Sequence, residues 1–187
     1  MVLNIKKTKC IVLRSKRGGR VEPKLHLKLD DKEIKQVTEV KLLGVLIDSQ
    51  MTWTSQIDEM LKKMGRGMAA IRYCRTYLPG CLIKQLMQAL ALSQLDYCTV
   101  IWSNTSENNR NKLQVAQNKA ACIVLNCSHR TRVCEMLNKL NWLPVKLRLH
   151  YSLLSFLRNI ITAKSPVSLF NSFDVLLYAQ LLYTPVI

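Results

Sequence analysis

The chain has 187 residues, with 28 Lys or Arg against 12 Asp or Glu, so its formal net charge at pH 7 is +16. So large an excess predicts a polyanionic partner, with nucleic acid ahead of an anionic membrane surface. No apolar run reaches the roughly 18–20 residues that a membrane span needs, and no secretory pattern opens the chain. The seven cysteines lack a disulfide-framework spacing, which favours reduced thiols and a cytoplasmic or nuclear protein, not a secreted one.

The first 50 residues carry the patterns of strands. Cys10–Leu13 predicts a short strand, and Leu25–Leu29 alternates apolar and polar residues like a half-buried one. Between them, residues 14–20 hold four positive charges and a Gly-Gly pair, which predicts a turn. The apolar run within Val37–Asp48 is short enough for a buried strand, and Gly44 in its middle is typical of a bulge or a close backbone approach.

From Trp53 the apolar period changes to that of a helix. Ser55 with Asp58 offers a capping box, whereas Gly65 and Gly67 weaken the helix and suggest a kink or a close crossing. The predicted core positions of this helix are Ile57, Met60, Leu61, Met64, Met68 and Ile71. The opposite face carries the basic residues Lys62, Lys63, Arg66 and Arg72.

Four more helices are predicted after this one. The next runs from about Cys81 to Tyr97, Ser106 caps a third, Thr131 caps a short fourth, and the last covers about Val145–Ala163. The core candidates of the second helix are Leu82, Leu86, Ala89, Leu90 and Leu95. Those of the third are Leu113, Ala116, Ala120 and Val124, and those of the last are Leu149, Leu153, Leu157 and Ile160.

Four motifs occur in a consistent order along the chain. They are Asn4-Ile-Lys-Lys-Thr8, Lys41-Leu-Leu-Gly-Val-Leu-Ile-Asp48, Leu113-Gln-Val-Ala-Gln-Asn-Lys-Ala-Ala121 and Leu140-Asn-Trp-Leu-Pro144. They resemble the N-x-x-K-T, K-Y-L-G-V-x-L-D, L-Q-x-x-Q-N-x-A-x-R and L-x-W-L-P segments of reverse transcriptases from non-LTR retrotransposons, particularly jockey-like elements. The segment Leu95–Trp102 is similar to a thumb motif of the same family. The resemblance covers about Leu3 to Phe173, with Leu42 in place of an aromatic residue and Cys122 in place of an arginine.

The resemblance implies an α+β fold. Residues 1–50 would hold the last antiparallel strands of the palm and a primer-grip-like β-hairpin at Lys41–Asp48, which in the family holds the primer end. Residues 51–130 would form a helical thumb-like region and 131–173 a helical connecting region, while 174–187 match nothing in the family. Lys7 would correspond to the family lysine that protonates pyrophosphate or orders the incoming nucleotide, and a lysine can do either as a mobile point charge.

The carboxylates needed for polymerisation have no counterpart here. Templated nucleotide addition uses two metal ions held by paired aspartates, which the family carries in a [F/Y]-A-D-D hairpin upstream of N-x-x-K-T. Asp30-Asp31 is the only Asp-Asp pair in the sequence, and it lies downstream of Asn4–Thr8. We therefore expect this chain not to polymerise by itself. No cofactor is expected in the fragment, and Mg²⁺ is implied only for the complete parent enzyme.

The resemblance implies a fragment of a retrotransposon RNA-directed DNA polymerase that lacks the catalytic carboxylates and retains at most binding to the backbone of an RNA/DNA primer–template duplex. The predicted nucleic-acid contacts are Lys41, Gly44, Lys62, Lys63 and Arg66. No membrane partner is expected, and the oligomeric state stays open. Two alternatives remain: a repurposed basic helical module that binds nucleic acid or protein, and a non-functional relic of a mobile element.

One cluster of metal-ligand residue types also occurs, at Cys122, Cys127, His129 and Cys134. Its spacing fits neither a nucleic-acid-binding zinc knuckle nor paired C-x-x-C sites, so buried or incidental thiols are the favoured interpretation.

Overall fold

The computed structural model describes residues 8–14, 25–29, 32–128 and 130–172. These residues include six short strands: β1 (Lys9–Cys10), β2 (Lys28–Leu29), β3 (Lys32–Glu33), β4 (Lys35–Gln36), β5 (Glu39–Leu42) and β6 (Val45–Asp48). They also include seven α-helices: α1 (Thr54–Cys74), α2 (Gly80–Met87), α3 (Ser93–Asp96), α4 (Thr99–Trp102), α5 (Glu107–Leu125), α6 (Val133–Leu140) and α7 (Val145–Ala163). A 3₁₀ turn (Arg75–Tyr77) continues α1, and a π-helical turn (Gln88–Leu92) joins α2 to α3.

The predicted α+β class is confirmed, with the described strands in the first 50 residues and the helices after them. The strands pair two by two. β2–β3 and β5–β6 are antiparallel as expected, whereas β1 and β4 are parallel, with Lys9 opposite Lys35. The helices therefore supply most of the described structure, and the hairpin of β5 and β6 is the pair that contacts them.

Helix α1 lies at the centre of the packing and contacts β6, α2, the π turn and α5. The helix predicted from Trp53 onward is confirmed. Ile57, Met60, Met64 and Ile71 are buried. The other two predicted core positions of this helix, Leu61 and Met68, are partly buried against the same core.

Apart from Ile160, the buried apolar residues of the described ranges form one cluster that extends from Val45 in β6 to Leu149 in α7. Trp102 is fully buried in it, and its indole Nε1 donates to the carbonyl oxygen of Tyr97 at 3.0 Å. Trp142 of the Leu140–Pro144 motif is also buried. Residues from 1–50, 51–130 and 131–173 all contribute to this cluster, so the boundaries between these predicted regions stay predictions.

The second helix is present, but the face assigned to its core was wrong. Leu82, Ala89 and Leu90 are exposed, Leu86 is partly buried and Leu95 is buried. Besides the predicted Leu95, the buried apolar positions are Ile83, Met87, Ala91 and Leu92. Lys84, Gln85 and Gln88 form a polar side of this segment, but Leu82 and Ile83 both lie on its apolar side, so the period does not say which edge of that side is buried. In addition, the π turn inserts extra residues into one turn and changes the direction of the side chains that follow.

Of the three predicted caps, one is confirmed. The hydroxyl of Ser106 accepts a hydrogen bond from the backbone N–H of Asn109 at 3.4 Å. The predicted cap of α6 was wrong, because Arg132 and not Thr131 precedes its first turn.

The predicted capping box of α1 does not form either. Trp53 precedes the helix with a positive φ of 64° and no side-chain cap. The Ser55 hydroxyl donates to Glu39, and the Asp58 carboxylate meets Lys112 at 3.1 Å. Both candidate capping side chains thus connect α1 to other elements instead of closing its first turn.

Helix α7 begins directly after Pro144 and buries only part of its apolar surface. Leu149 and Ile160 are buried as predicted, Leu157 is half-buried and Leu153 is exposed. A further stripe of exposed apolar residues follows helical spacing: Leu147, Tyr151, Leu154 and Ile161. Among the helices that the structure describes, none combines the length and apolar character of a membrane span.

Gly67 of α1 lies against the backbone of the π turn. A Cβ at this position would stand 2.8 Å from the carbonyl oxygen and 3.1 Å from the carbonyl carbon of Leu90. The predicted close crossing is therefore confirmed at Gly67. A Cβ at Gly65, two residues earlier in the same helix, would meet nothing within 4 Å.

These two glycines form a matched pair for mutagenesis. We expect Gly67→Ala to lower the free energy of unfolding by about 1–3 kcal/mol, since the methyl group displaces backbone atoms that cannot rotate away. Gly65→Ala should raise it by about 0.5–1 kcal/mol, because alanine is the better helix former and has room. Urea unfolding followed by circular dichroism measures both. Equal stability of the two variants would contradict the close crossing.

Candidate nucleic-acid interface

The segment Lys41–Asp48 is folded as a hairpin, not as one continuous strand. Leu42 pairs with Val45, and Leu43 and Gly44 form the two-residue turn between β5 and β6. Both turn residues have positive φ, 47° for Leu43 and 86° for Gly44, as a type I′ turn requires. The interpretation of a single buried strand with a bulge was thus wrong, and a hairpin stands where the family resemblance implies one.

The tip of this hairpin rests on Tyr97. The phenol donates a hydrogen bond to the carbonyl oxygen of Leu43, and a Cβ on Gly44 would lie 3.5 Å from the phenol oxygen. The close approach predicted at Gly44 is real, but it is made by a side chain and not by another backbone. The adjacent Cys98, through charge repulsion and then a hydrogen bond, raises the pKa of Tyr97 above its usual value. Tyr97 thus connects the hairpin tip to the end of α3.

Asp48 at the other end of the hairpin organises the entry into α1. Its carboxylate accepts hydrogen bonds from the backbone N–H groups of Gln50 and Thr52 at 3.0 Å and of Trp53 at 2.8 Å. The Thr52 hydroxyl donates to it at 3.2 Å. Partial burial raises the pKa of Asp48, but these hydrogen bonds together outweigh it and lower the pKa below its usual value. The charged carboxylate therefore fixes the turn between hairpin and helix.

A second contact holds the hairpin against α1. The side-chain oxygen of Gln56, which is buried, accepts a hydrogen bond from the backbone N–H of Leu46 at 2.8 Å. Together with the Asp48 carboxylate, this contact sets the position of the hairpin relative to α1.

The predicted contact residues occupy two elements. Lys41 is exposed on β5, opposite Leu46, and Gly44 lies in the turn. On α1, Lys62 and Arg66 are exposed and one helical turn apart, so they share a face. Lys63 is half-buried and lies about 100° around the helix from Lys62. Lys7 lies outside the described residues.

The hairpin and the exposed face of α1 are neighbours. Glu39 and Lys41 point to the same side of β5, because side chains alternate along a strand. The Glu39 carboxylate accepts the hydrogen bond of Ser55, which lies two helical turns before Lys62 on the same face of α1. The Glu39–Ser55 contact thus joins the strand that carries Lys41 to the start of the helix face that carries Lys62 and Arg66. We call the four cations Lys41, Lys62, Lys63 and Arg66 together the basic face.

Within the described ranges, no ion pair involves a residue of the basic face. The acidic residues nearest in sequence are Glu39, which accepts the hydrogen bond of Ser55, Asp58, which meets Lys112, and Glu59. Lys62 and Arg66 are like charges at a spacing of four residues, which opposes helix formation by a few tenths of a kcal/mol. Their charges are thus available to an external anion.

The residues that hold the hairpin and α1 together are not among those predicted from the sequence. Asp48 was used only as the polar boundary of an apolar run, although an aspartate followed by Ser-Gln is a turn signal. Tyr97 was noted only within the Leu95–Trp102 motif. Gln56 carries no sequence signal that separates a buried amide from an exposed one.

The cysteine cluster is divided between buried and exposed positions. Cys122 is buried and Cys127 half-buried, and both sulfur atoms contact that of Met136, at 3.5 and 3.3 Å. Burial and then the Cys127 thiol raise the pKa of Cys122, which favours the protonated form. Cys134 is exposed, and His129 lies outside the described residues. No group of three His, Cys, Asp or Glu residues in the described part of the chain could hold a metal ion.

Comparison with known proteins found no match. The chain matches no protein-family model, no curated protein and no solved structure. The similarity to reverse transcriptases therefore rests on the motifs alone.

The hydrogen bonds of the Asp48 carboxylate predict how the free energy of unfolding depends on pH. A carboxylate whose pKa is lowered by folding stabilises the folded state above the pKa of the unfolded chain, and loses this effect as pH falls through the folded value. Asp48→Asn should therefore lower the free energy of unfolding by about 1–2 kcal/mol at pH 7, since an amide offers one acceptor oxygen instead of two. The difference from the parent protein should shrink as the pH is lowered below about 4.

Urea unfolding at a series of pH values measures this difference. Asp58→Asn is the control at pH 7, because its ion pair with Lys112 is on the surface and such pairs contribute at most about 1 kcal/mol. A constant difference for Asp48→Asn down to pH 3 would show that the carboxylate charge does not hold the turn.

Proposed function

We propose that this chain is a fragment of a retrotransposon RNA-directed DNA polymerase and that its basic face binds the backbone of a primer–template duplex. The observation that supports this most directly is the pair Lys62 and Arg66, exposed on one side of α1 without an acidic partner among the described residues. In this proposal the hairpin of β5 and β6 is the primer-grip-like element and the helices of residues 51–130 are the thumb-like region.

The spacing of the cations suits a phosphate backbone. Lys62 and Arg66 are separated by about 6 Å along the helix axis, which is comparable to the rise of about two nucleotides of one strand. Arginine can accept a phosphate with two parallel hydrogen bonds, and lysine meets it as a mobile point charge. Such contacts fix the position of a duplex and carry no sequence information. The basic face should therefore bind many sequences alike and lose affinity with salt.

Gly44 contributes through the shape of the hairpin. Its positive φ and its contact with Tyr97 keep the turn short and close to α3. The turn exposes Leu43, whose side chain is 84% accessible, at the tip of the hairpin. In the proposal, the backbone of this tip approaches the end of the primer while Lys41 meets a neighbouring phosphate.

Polymerisation is not part of the proposal, because the sequence lacks the aspartate hairpin that the family uses. The auxiliary role of Lys7 belongs to the complete parent enzyme and to residues that the structure does not describe. The exposed apolar stripe of α7 favours a second candidate from another class, a relic whose uncovered surface causes self-association. The two candidates differ in whether soluble, folded protein binds a duplex.

The proposal predicts a salt-dependent affinity that comes from specific cations. Replacing Lys62 and Arg66 together by glutamine should weaken binding to a labelled RNA–DNA hybrid for every sequence tried. It should also reduce the slope of log K against log salt by about 2, one for each lost phosphate contact. Fluorescence anisotropy across a salt series measures both quantities.

A matched control removes two charges elsewhere. Lys139 in α6 and Lys146 in α7 are exposed and lie outside the basic face, so replacing both by glutamine changes the net charge equally. The control should keep the slope of the parent protein to within about 1. Equal losses in the two double variants would assign binding to net charge alone, and folded protein that binds no hybrid at low salt would refute the proposal.

A further inference from the structure

Two tyrosines at the end of α1 are almost fully exposed. The accessible fraction is 84% for Tyr73 and 85% for Tyr77. Tyr73 lies seven residues, or two helical turns, after Arg66, so the two share a face of α1. Tyr77 ends the 3₁₀ turn that continues the helix. Both aromatic rings are therefore found where the basic face ends.

Such exposure is unusual for tyrosine, which normally covers its ring and leaves only the hydroxyl in water. Arg72 between the basic face and Tyr77 is also exposed. The next cation, Arg75, is different, since its guanidinium donates to the side-chain oxygen of Asn126 and is held against α5. Among the residues that the structure describes, Arg72 has no ion pair. The end of α1 thus presents two open rings beside an exposed guanidinium.

Aromatic rings next to cations form the usual platform for unpaired nucleic-acid bases. Every base has a π-face, so stacking on a ring tolerates any sequence, while the cations follow the phosphates. Bases inside a duplex are already stacked on each other and do not offer their faces. The tyrosines can therefore use only the part of a nucleic acid that is single-stranded.

We propose that Tyr73 and Tyr77 stack on the unpaired bases that extend from a duplex bound to the basic face. The preferred ligand of the chain is then a junction between duplex and single strand. This inference rests on the proposed function, which places the duplex on Lys62 and Arg66. Tyr73 lies about 10 Å beyond Arg66 along the helix axis, a distance that about three nucleotides of rise cover.

The experiment compares two junctions that differ only in their bases. One is a short RNA–DNA hybrid with a single-stranded thymidine extension, and the other carries an abasic extension of the same length and charge. The parent protein should bind the thymidine junction at least about fivefold more tightly, since stacking of one base on an aromatic side chain accounts for that factor or more. Fluorescence anisotropy at one fixed salt concentration gives both affinities.

Substitutions test whether the preference for the thymidine junction depends on the rings of Tyr73 and Tyr77. Tyr73→Ala with Tyr77→Ala should bind both junctions alike, whereas Tyr73→Phe with Tyr77→Phe should keep the preference because phenylalanine also stacks. Tyr151→Ala is the control, since Tyr151 is 65% exposed but lies on α7. Thermal melting by circular dichroism checks that the alanine variant is folded. We expect it to fold because Tyr73 and Tyr77 are almost fully exposed.

The outcomes separate this inference from the proposed function. Equal binding of the two junctions by the parent protein, with the salt slope of duplex binding intact, would overturn the stacking role and leave the proposed function standing. Binding of the thymidine junction without any binding of the plain hybrid would overturn duplex recognition and keep the stacking role. If folded protein binds neither junction, both proposals fail.

Discussion

The packing of one face of α1 against β6, α2, the π turn and α5 fixes the direction of every other side chain on that helix. A helix surrounded in this way must present its remaining face to solvent. Lys62, Arg66 and Tyr73 lie on that face because Ile57, Met60, Met64 and Ile71 occupy the other. The close approach of Gly67 to the Leu90 carbonyl prevents α1 from rotating without a clash. The candidate interface is therefore a consequence of the core, and changes that disturb the core also move the cations.

The sequence predicted α1 well and the segment after it poorly, for physical reasons. In α1 the apolar and charged residues separate cleanly at a period of 3.6, so both the helix and its faces could be inferred. In residues 81–95 a broad apolar side includes both Leu82 and Ile83, and a π turn interrupts the helical period. The period does not distinguish the two edges of that side, and only tertiary packing selects Ile83 over Leu82.

The hairpin was not predicted from the residue pattern because its turn residues carry only a weak turn signal. An apolar run from Val40 to Ile47 resembles one buried strand, and Leu43 is not a residue that favours positive φ. Gly44 was the only turn signal, whereas the usual type I′ pair is Asn-Gly or Asp-Gly. The contact that holds the tip is distant in sequence, since its donor is Tyr97. The Asp48 carboxylate, which holds the base, accepts from residues at most five positions away. Single-sequence patterns cannot reveal partners 54 residues apart.

The basic face and the exposed apolar stripe of α7 would bind partners through different forces, electrostatic attraction and the hydrophobic effect. The like charges on the basic face repel one another, and a bound anion reduces this repulsion. Added salt weakens the attraction between these cations and phosphates. The exposed stripe of Leu147, Tyr151 and Leu154 on α7 is apolar, and excluded salts such as sulfate strengthen the association of apolar surface. Added salt therefore weakens the binding of anions to the basic face, whereas sulfate strengthens association through the apolar stripe. Association that weakens with salt and depends on Lys62 and Arg66 belongs to α1, whereas association that strengthens with sulfate belongs to α7 and requires no nucleic acid.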